Sequence, residues 1–279
     1  MATLGIPQNT IAVLQKYNFN FQKKFGQNFL IDTHVLERII QEAGITKDDF
    51  VLEIGPGIGT MTQYLCESAR EVVAVEIDKN LIPILADTLQ DYQNVTVLNE
   101  DILKVDINAL AQEKNGGAPI KVVANLPYYI TTPIITKFIE EQIDVEKIIV
   151  MVQNEVADRF SAKTGTKSYN SLTIFLNYYF DIKKAFVVSR NVFYPKPNVD
   201  SAVVTFTKKR NTLKADNEKL FFKLVRDAFC QKRKTLKNNL KAYDLDKIDE
   251  VLKKYNKNIT FRAENITMDE FIDISNNLN

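Results

Sequence analysis

Five short runs rich in valine and isoleucine recur between residues 50 and 152, and segments with helical patterns separate them. The runs are Phe50–Ile54, Val72–Ile77, Val95–Leu98, Ile120–Ala124 and Lys147–Val152. Strands that are apolar on both sides are buried on both faces, which is typical of a parallel sheet covered by helices. The helical patterns cover residues 60–68, 80–92, 108–114 and 132–142. This alternation predicts a doubly wound α/β domain.

The pattern changes in the last third of the chain. Two strand-like segments, 181–189 and 201–208, are followed by the polar segment KKRNTLKADN, which has the composition of a linker. Beyond it only helical patterns occur, at residues 218–229, 232–239, 247–255 and 268–276. We therefore predict two domains: an α/β domain over residues 1–210, with an N-terminal extension, and a small all-helical domain over residues 211–279.

Composition excludes several classes of protein. The chain of 279 residues is 45% hydrophobic and 25% charged, as in ordinary globular proteins. It has no apolar run of 18 residues, and MATLGIPQNT lacks the basic and apolar parts of a secretory signal. Two distant cysteines, Cys66 and Cys230, and the single histidine, His34, do not make up the usual ligand set of a zinc site. We expect a cytoplasmic, metal-free protein in which His34 has no catalytic role.

Charge is distributed unevenly along the chain. Residues 1–207 carry 19 Lys+Arg against 24 Asp+Glu, whereas residues 208–279 carry 17 against 11. A basic C-terminal part indicates a polyanionic partner, although a mildly basic helical domain is often simply well solvated. Its densest cluster is predicted to make salt-sensitive phosphate contacts and consists of Lys232, Arg233, Lys234 and Lys237.

A glycine-rich turn follows the first run, in the stretch EIGPGIGT. Gly55, Gly57 and Gly59 alternate with other residues, and Glu53 stands two positions upstream. A dinucleotide fingerprint requires glycine at position 60, where this chain has threonine, so an NAD-linked oxidoreductase is disfavoured. The spacing favours a nucleoside cofactor without a pyrophosphate, S-adenosylmethionine (SAM) above all. The alternative is a tight turn between strand and helix.

Acidic residues lie at the ends of the next two runs. Glu76 is the last residue but one of the second run and is predicted to accept hydrogen bonds from ribose hydroxyls, with Asp78 as its competitor. Asp101, preferred over Glu100, follows the third run and is predicted to accept a bond from the cofactor's adenine amine. Taken alone, each acid is better explained as a solvated surface residue or a capping residue. At consecutive strand ends they point to a ligand site, because open α/β sheets bind ligands there.

The fourth run ends in Asn125-Leu126-Pro127-Tyr128-Tyr129. The amine of adenine is a poor nucleophile because its lone pair is delocalised into the ring. Two acceptors, the Asn125 side-chain oxygen and the Leu126 carbonyl, would favour a pyramidal, reactive nitrogen. Pro127 holds Leu126 extended, and Tyr128 would stack on the base. The alternative is a proline turn with two packed tyrosines.

At this point the chain resembles a known family. NLPY together with EIGPGIGT is similar to the SAM-dependent adenine methyltransferases that dimethylate ribosomal RNA. FGQNFL at residues 25–30, FYPKPNVDSAV at 193–203 and FCQKRKTL at 229–236 resemble further motifs of the small-subunit (16S) type, KsgA or RsmA. FCQKRKTL resembles that family's basic C-terminal helix. The fold implied is a Rossmann-like SAM-dependent methyltransferase domain with a small all-helical C-terminal domain.

The resemblance also implies roles for individual residues. SAM contacts carry over to Asn28, Leu30, Gly55, Gly57, Glu76, Asp101 and Asn125. Contacts to the target base carry over to Asn125, Leu126, Tyr128 and Phe193. The chain departs from the family at Cys230, where a polar residue is usual, and at Lys232, where arginine is common.

The implied activity is dimethylation of two adjacent adenosines near the 3′ end of 16S rRNA, within the small subunit or its precursor. A monomer with a role in small-subunit biogenesis is expected. One alternative is a large-subunit (23S) rRNA dimethyltransferase of the antibiotic-resistance type, although Leu126 and FCQKRKTL favour the small-subunit type. Another is an assembly factor that keeps the fold without catalysis, which intact Asn125, Tyr128 and Phe193 disfavour.

Overall fold

The computed structural model describes residues 3–22, 26–126, 130–210 and 214–278. The chain divides into two compact units. The first comprises Met1–Ala157 with Lys183–Lys208, and the second comprises Asp158–Ile182 with Lys209–Asn279. Residues 158–182, which the sequence analysis placed in the first domain, thus belong to the second unit.

The first unit is built on a seven-stranded sheet of order β4-β3-β2-β5-β6-β9-β7, accompanied by an antiparallel ribbon of β1 and β8. The strands are β1 Phe29–Leu30, β2 Phe50–Ile54, β3 Glu71–Val75, β4 Val95–Leu98, β5 Ile120–Asn125, β6 Val145–Gln153, β7 Phe180–Val188, β8 Phe193–Tyr194 and β9 Ser201–Lys208. Strands β2 to β6 pair in parallel, and β9 runs antiparallel to β6. The carboxyl ends of β2, β3, β4 and β5 therefore share one edge of the sheet.

The five apolar runs of the sequence form β2 to β6, as predicted, and the two later strand-like segments form β7 and β9, whereas β1 and β8 were not predicted. All five residues of β2 are buried, and so are four of the five in β3. Val51, Leu52, Val72 and Val73 have no exposed surface, because helices cover both faces of the sheet. The predicted doubly wound, Rossmann-like α/β fold is confirmed.

Helices surround the sheet and form the second unit. They are α1 Pro7–Lys16, α2 Thr33–Ala43, α3 Thr60–Ser68, α4 Ile82–Thr88, α5 Ile107–Asn115, α6 Thr131–Glu140, α7 Asn154–Phe160, α8 Ser171–Tyr179, α9 Glu218–Ala228, α10 Leu236–Asn239, α11 Leu245–Lys253 and α12 Met268–Asn277. The sequence pattern predicted no helix over α1, α7 or α8, and only the start of a helix at His34 for α2. In α2 a local signal exists, since the Asp32 side chain accepts the Val35 N–H at 2.9 Å and caps the helix.

The second unit has its own apolar core, which explains why it includes α8. Ile174 and Tyr178 of α8 are buried together with Phe221 and Leu224 of α9 and with residues of α11 and α12. The α8 sequence SLTIFLNYY is apolar over most of its length, so its helical period is hidden and its partner helices cannot be predicted from the pattern.

One predicted helix is shorter in the structure. Residues 232–239 had a helical pattern, but helix α10 covers only 236–239. Residues 231–234 form a turn, in which the Lys234 N–H donates to the Gln231 carbonyl at 2.9 Å. Thr235 is extended and precedes α10 as its N-cap residue. The basic segment is therefore a turn between two helices.

Two kinds of feature are absent from the described residues. No helix in the described part of the chain is long and apolar enough to cross a membrane. The same residues contain no group of three or more His, Cys, Asp and Glu side chains arranged to hold a metal ion. His34 is exposed at the start of α2.

Candidate active site

A cavity of about 480 Å³ lies at the sheet edge formed by the carboxyl ends of β2 to β5. This volume suits a ligand of nucleoside size. The cavity is lined by nine of the predicted site residues: Asn28, Leu30, Gly55, Gly57, Glu76, Asp101, Asn125, Leu126 and Phe193. Four residues of the stretches quoted for the site, Phe25, Pro127, Tyr128 and Tyr129, lie outside the described residues, so the stacking role of Tyr128 stays a prediction.

The glycine turn forms one wall of this cavity. Gly57 has φ +62°, and a Cβ atom there would lie 2.8 Å from Cε1 of Phe29. Gly55 has φ +72°, and a Cβ there would lie 3.7 Å from the Asn125 carbonyl oxygen. Both positions need glycine because the conformation is left-handed and, at Gly57, no space remains for a side chain.

Glu76 follows β3 and is held by backbone donors. Its Oε1 accepts the Asp78 N–H at 2.8 Å, and its Oε2 accepts the Gly57 N–H at 3.2 Å. Burial raises the pKa of Glu76 to about 7, although these backbone hydrogen bonds act in the opposite direction. Each carboxylate oxygen can accept a further bond, so the fixed carboxylate presents two acceptors to a ligand's hydroxyls.

Asp78, the competing candidate, is occupied elsewhere. Its Oδ1 accepts both the backbone N–H and the Nδ2 of Asn80, and its Oδ2 accepts Nε2 of Gln27 at 2.8 Å. Glu76 lines the cavity and Asp78 does not. The geometry therefore favours Glu76 as the hydroxyl acceptor.

Asp101 and Glu100 both reach the cavity. Asp101 shapes the turn after β4, since its Oδ1 accepts the Leu103 N–H at 3.0 Å and its carbonyl accepts the Lys104 N–H at 2.8 Å. The preference for Asp101 stays a prediction. Sequence reasoning missed two apolar residues, Ile77 and Ile102, which also line the cavity. Their positions in the sequence could have indicated them, because each directly follows one of the predicted acids.

Asn125 is the last residue of β5 and lies opposite Met151 of β6. Its Nδ2 lies 3.5 Å from the carbonyl oxygen of Asn28, so the amide nitrogen faces the segment before β1. Leu126 is buried and follows directly, and its Cδ2 would lie 3.6 Å from a Cβ atom at Gly55. The end of β5 and the glycine turn thus form adjoining walls of the cavity.

The ribbon of β1 and β8 closes another wall. Leu30 lies opposite Phe193, and Phe29 lies opposite Tyr194. The Phe193 ring is 5% exposed and lines the cavity. Residues from the FGQNFL and FYPKPNVDS motifs therefore meet in one place.

Two residues that line the cavity, Glu53 and Thr60, have buried polar atoms without partners among the described residues. Glu53 Oε2 and Thr60 Oγ1 are buried and have no hydrogen-bond partner among the described residues. Burial raises the pKa of Glu53 to about 8; the nearby Thr62 hydroxyl acts in the opposite direction, and the charge of Glu76 adds to the rise. Unpaired buried polar atoms are costly, so their presence on a cavity wall fits a ligand that donates hydrogen bonds or carries positive charge.

The predicted phosphate-binding residues lie in the second unit. Lys232, Arg233 and Lys234 are exposed on the turn between α9 and α10, and Lys237 is exposed on α10. Asn239 braces this turn, because its Nδ2 donates to the carbonyls of Ala228 at 2.6 Å and Gln231 at 3.2 Å. Although this segment is mostly a turn and not a helix, its four cationic side chains are exposed and lie near one another in the chain.

The sheet order, the glycine turn and the polar residues at the strand ends define the Rossmann-like methyltransferase class. Comparison with known proteins narrows the class. The family model for ribosomal RNA adenine dimethylase matches residues 18–279, and the chain belongs to this family.

Individual relatives agree with this assignment. Ribosomal RNA small subunit methyltransferase A of Lachnoclostridium phytofermentans is 57% identical over 282 residues, covering 99% of this chain and 97% of that protein. The protein of the same name from Clostridioides difficile is 49% identical, covering 100% and 98%. The crystal structure of a dimethyladenosine transferase from Plasmodium falciparum matches with a TM-score of 0.73, at 27% identity over 88% of this chain and 95% of that one. That of the 23S rRNA methyltransferase ErmE matches with a TM-score of 0.73, at 25% identity over 90% and 99%.

Proposed function

We propose that this protein transfers methyl groups from SAM to the exocyclic amines of two adjacent adenosines near the 3′ end of small-subunit rRNA, giving dimethyladenosines. The name of the relatives at 57% and 49% identity supports the small subunit as the target. The large-subunit alternative is supported by a structural match at 25% identity. A role in small-subunit biogenesis follows if modification accompanies assembly.

The cavity residues fit SAM. Glu76 would accept hydrogen bonds from the ribose hydroxyls, Asp101 would accept one from the adenine amine, and Ile77 and Ile102 would contact the apolar faces of the adenine. The carboxyl of Glu53 would lie near the cationic amino-acid end. The remaining contacts to SAM would come from Gly55, Gly57, Asn28, Leu30 and Asn125. SAM supplies an electrophilic methyl group carried on a sulfonium sulfur.

The residues at the end of β5 act on the target adenosine. Because Nδ2 of Asn125 faces Asn28, Oδ1 is the acceptor for one hydrogen of the adenine amine. The Leu126 carbonyl accepts the other hydrogen. Together they favour a pyramidal nitrogen whose lone pair is directed out of the ring. Phe193 contacts one face of the adenine, and Tyr128 is proposed for the other face.

The chain needs no strong base for this reaction. The amine becomes positively charged as it gains the methyl group, and it then loses a proton readily to water. Most of the catalysis comes from positioning of the amine and of its two acceptors. Exclusion of water by the buried side chains of Leu126 and Phe193 strengthens these polar contacts.

The basic turn contacts the RNA backbone. Exposed cations at Lys232, Arg233, Lys234 and Lys237 bind phosphates without reading sequence. The partner is 16S rRNA in the small ribosomal subunit or its precursor, and the protein acts as a monomer. Such a substrate places the reaction in the cytoplasm.

The observation that carries the proposal is that Asn125 and Leu126 line the same cavity as Glu76 and Asp101. Methyl transfer from labelled SAM tests it, with small subunits that lack the 3′-end methylations and unmethylated large-subunit RNA offered in parallel. Asn125→Ala is the test variant. Asn277→Ala is the matched control, because Asn277 is exposed on α12.

Label in small-subunit adenosines that Asn125→Ala abolishes and Asn277→Ala retains is the expected result. Label confined to large-subunit RNA would assign the protein to the resistance type. Tight binding of small subunits without any label would make it an assembly factor.

A further inference from the structure

Two walls of the cavity come from segments far apart in the sequence. One is the segment Gly26–Leu30, which contains Asn28 and Leu30. The other is the turn Glu76–Asp78 after β3, here called the acidic turn. Both contribute lining residues, so the cavity has its observed shape only while the two segments stay together.

Gln27 joins these walls through its side chain. Its Nε2 donates to Oδ2 of Asp78 at 2.8 Å, and its Oε1 accepts the backbone N–H of Gln22 at 2.8 Å. Both ends of the amide are therefore used, which fixes its orientation. The donor end points at the acidic turn.

Asp78 in turn is hydrogen-bonded to Glu76. Asp78 is 3% exposed, and its other oxygen is held by Asn80. Its backbone N–H donates to Oε1 of Glu76 at 2.8 Å. A continuous set of hydrogen bonds therefore runs from Gln27 through Asp78 to the carboxylate that faces the cavity.

Apart from the backbone pairing of β1 with β8, the other polar contacts described for the segment are longer or internal to it. The Asn28 side chain donates to the Gly26 carbonyl at 2.9 Å, within the same segment. Nδ2 of Asn125 lies 3.5 Å from the Asn28 carbonyl, at the limit of a hydrogen bond. The contact of Gln27 with a buried carboxylate is shorter and charge-assisted.

We propose that Gln27 is a positioning residue that clips the Gly26–Leu30 segment to the acidic turn and thereby sets the affinity for the adenosine part of SAM. The inference rests on the proposed function, since it concerns how tightly the same site binds SAM. Gln27 takes no part in the transfer step, because its donor is bonded to Asp78. Loss of one hydrogen bond to a buried carboxylate corresponds to about a tenfold change in affinity.

The first test compares Gln27→Ala with the wild-type protein. Calorimetry gives the dissociation constants of SAM and S-adenosylhomocysteine, and steady-state kinetics gives kcat and the KM for SAM. We expect both dissociation constants and the KM to rise about tenfold while kcat changes less than twofold. Hydrogen exchange of the ligand-free protein should be faster at the amides of residues 26–30. Gln15→Ala, a truncation of an exposed glutamine on α1, is the control and should match wild type.

The second test reverses the direction of the hydrogen bond. Gln27→Glu sets two carboxylates against each other, and Asp78→Asn sets two amide donors against each other, so each single variant should bind SAM at least tenfold more weakly. In the double variant the amide at position 78 donates to the carboxylate at position 27, which can still accept the Gln22 N–H. Binding should then recover to within about threefold of wild type. A purely structural loss at either position would instead add in the double variant.

The outcomes separate this inference from the proposed function. If wild type binds SAM and methylates small subunits while Gln27→Ala binds SAM equally well, Gln27 is not a clip and the proposed function stands. Additive weakening in the double variant also overturns the clip. If wild type fails to bind SAM, the proposed function and the inferred control of SAM affinity are both overturned.

Discussion

Leu30 on β1 lies directly opposite Phe193 on β8, and both side chains line the cavity at the sheet edge. This pairing joins the segment proposed to contact the cofactor with the ring proposed to contact the target base. Substitutions at the two residues should therefore separate cofactor binding from RNA methylation.

Phe193→Leu should impair methylation while SAM binding is retained. Leucine keeps an apolar side chain in the core but removes the aromatic face on which a base stacks. Base stacking on an aromatic ring is worth about 1–3 kcal/mol, so kcat/KM for RNA should fall about tenfold to a hundredfold. Kinetics with small subunits and calorimetry with SAM measure the two effects. Phe193→Tyr, which keeps the ring, should retain most activity; equal losses in both variants would argue against stacking.

Glu76→Gln should weaken SAM binding. The amide offers one acceptor where the carboxylate offers two, and it loses the charge that strengthens bonds from ribose hydroxyls. We expect the dissociation constant to rise about tenfold to a hundredfold, in line with charged hydrogen bonds. Calorimetry measures it, with Glu250→Gln on exposed α11 surface as the control. Unchanged affinity would remove Glu76 from the binding site.

The stability of the ligand-free protein should depend on pH through Glu53. Burial raises its pKa from 4.5 to about 8, so between these values the folded chain binds more protons than the unfolded chain. This contribution to stability is complete below about pH 4.5 and is lost as the pH rises towards 8, at up to about 1.4 kcal/mol per pH unit. Glu76, with its pKa raised to about 7, acts in the same direction.

Glu53→Gln should therefore flatten the decline. Urea unfolding at pH 5, 6, 7 and 8 gives the free energy of unfolding for wild type, Glu53→Gln and Glu250→Gln. The Glu53 variant should lose less stability between pH 6 and 8 than the other two proteins. Parallel curves for all three would show that Glu53 does not titrate as its burial implies.

Single substitutions in the basic turn should reduce the salt dependence of RNA binding. Each phosphate contact contributes a slope of about 0.7–0.9 to log K against log salt. Lys232→Ala, Arg233→Ala and Lys234→Ala should each lower the slope by about this amount and leave SAM affinity unchanged. Lys247→Ala, an exposed lysine on α11, is the control. If all three variants keep the salt slope of the wild type, the RNA does not contact the basic turn.

Asn239→Ala tests how the turn is held. The substitution removes two hydrogen bonds that brace residues 228 and 231 but keeps every cation. RNA affinity should fall about threefold to tenfold, because a flexible turn pays more entropy on binding. The salt slope should stay that of wild type. A filter-binding titration at several salt concentrations measures both quantities, and a changed slope would mean that Asn239 contributes more than bracing.

The sequence predicted those parts of the site that follow from strand ends. Gly55, Glu76, Asp101 and Asn125 each stand where an apolar run stops, and parallel strands bring such positions to one edge. Local pattern is sufficient there because the same short-range signals define the strand and its end.

Long-range contacts could not be predicted in this way. The bond between Gln27 and Asp78 and the pairing of Leu30 with Phe193 depend on tertiary packing, and no local period encodes them. The helix predicted over residues 232–239 was too long for a related reason. Its lysines and arginine favour helix intrinsically, yet extended Thr235 and the bracing by Asn239 form a turn there.

The most direct measurement of the central claim is mass spectrometry of small-subunit rRNA after reaction with SAM. Subunits that lack the 3′-end methylations would be treated with wild type or with Asn125→Ala, and the rRNA would be digested and sequenced by fragment mass. The account predicts dimethyladenosine at two adjacent positions near the 3′ end with wild type and none with the variant. Modification of another nucleoside, or dimethyladenosine formed equally by Asn125→Ala, would contradict it.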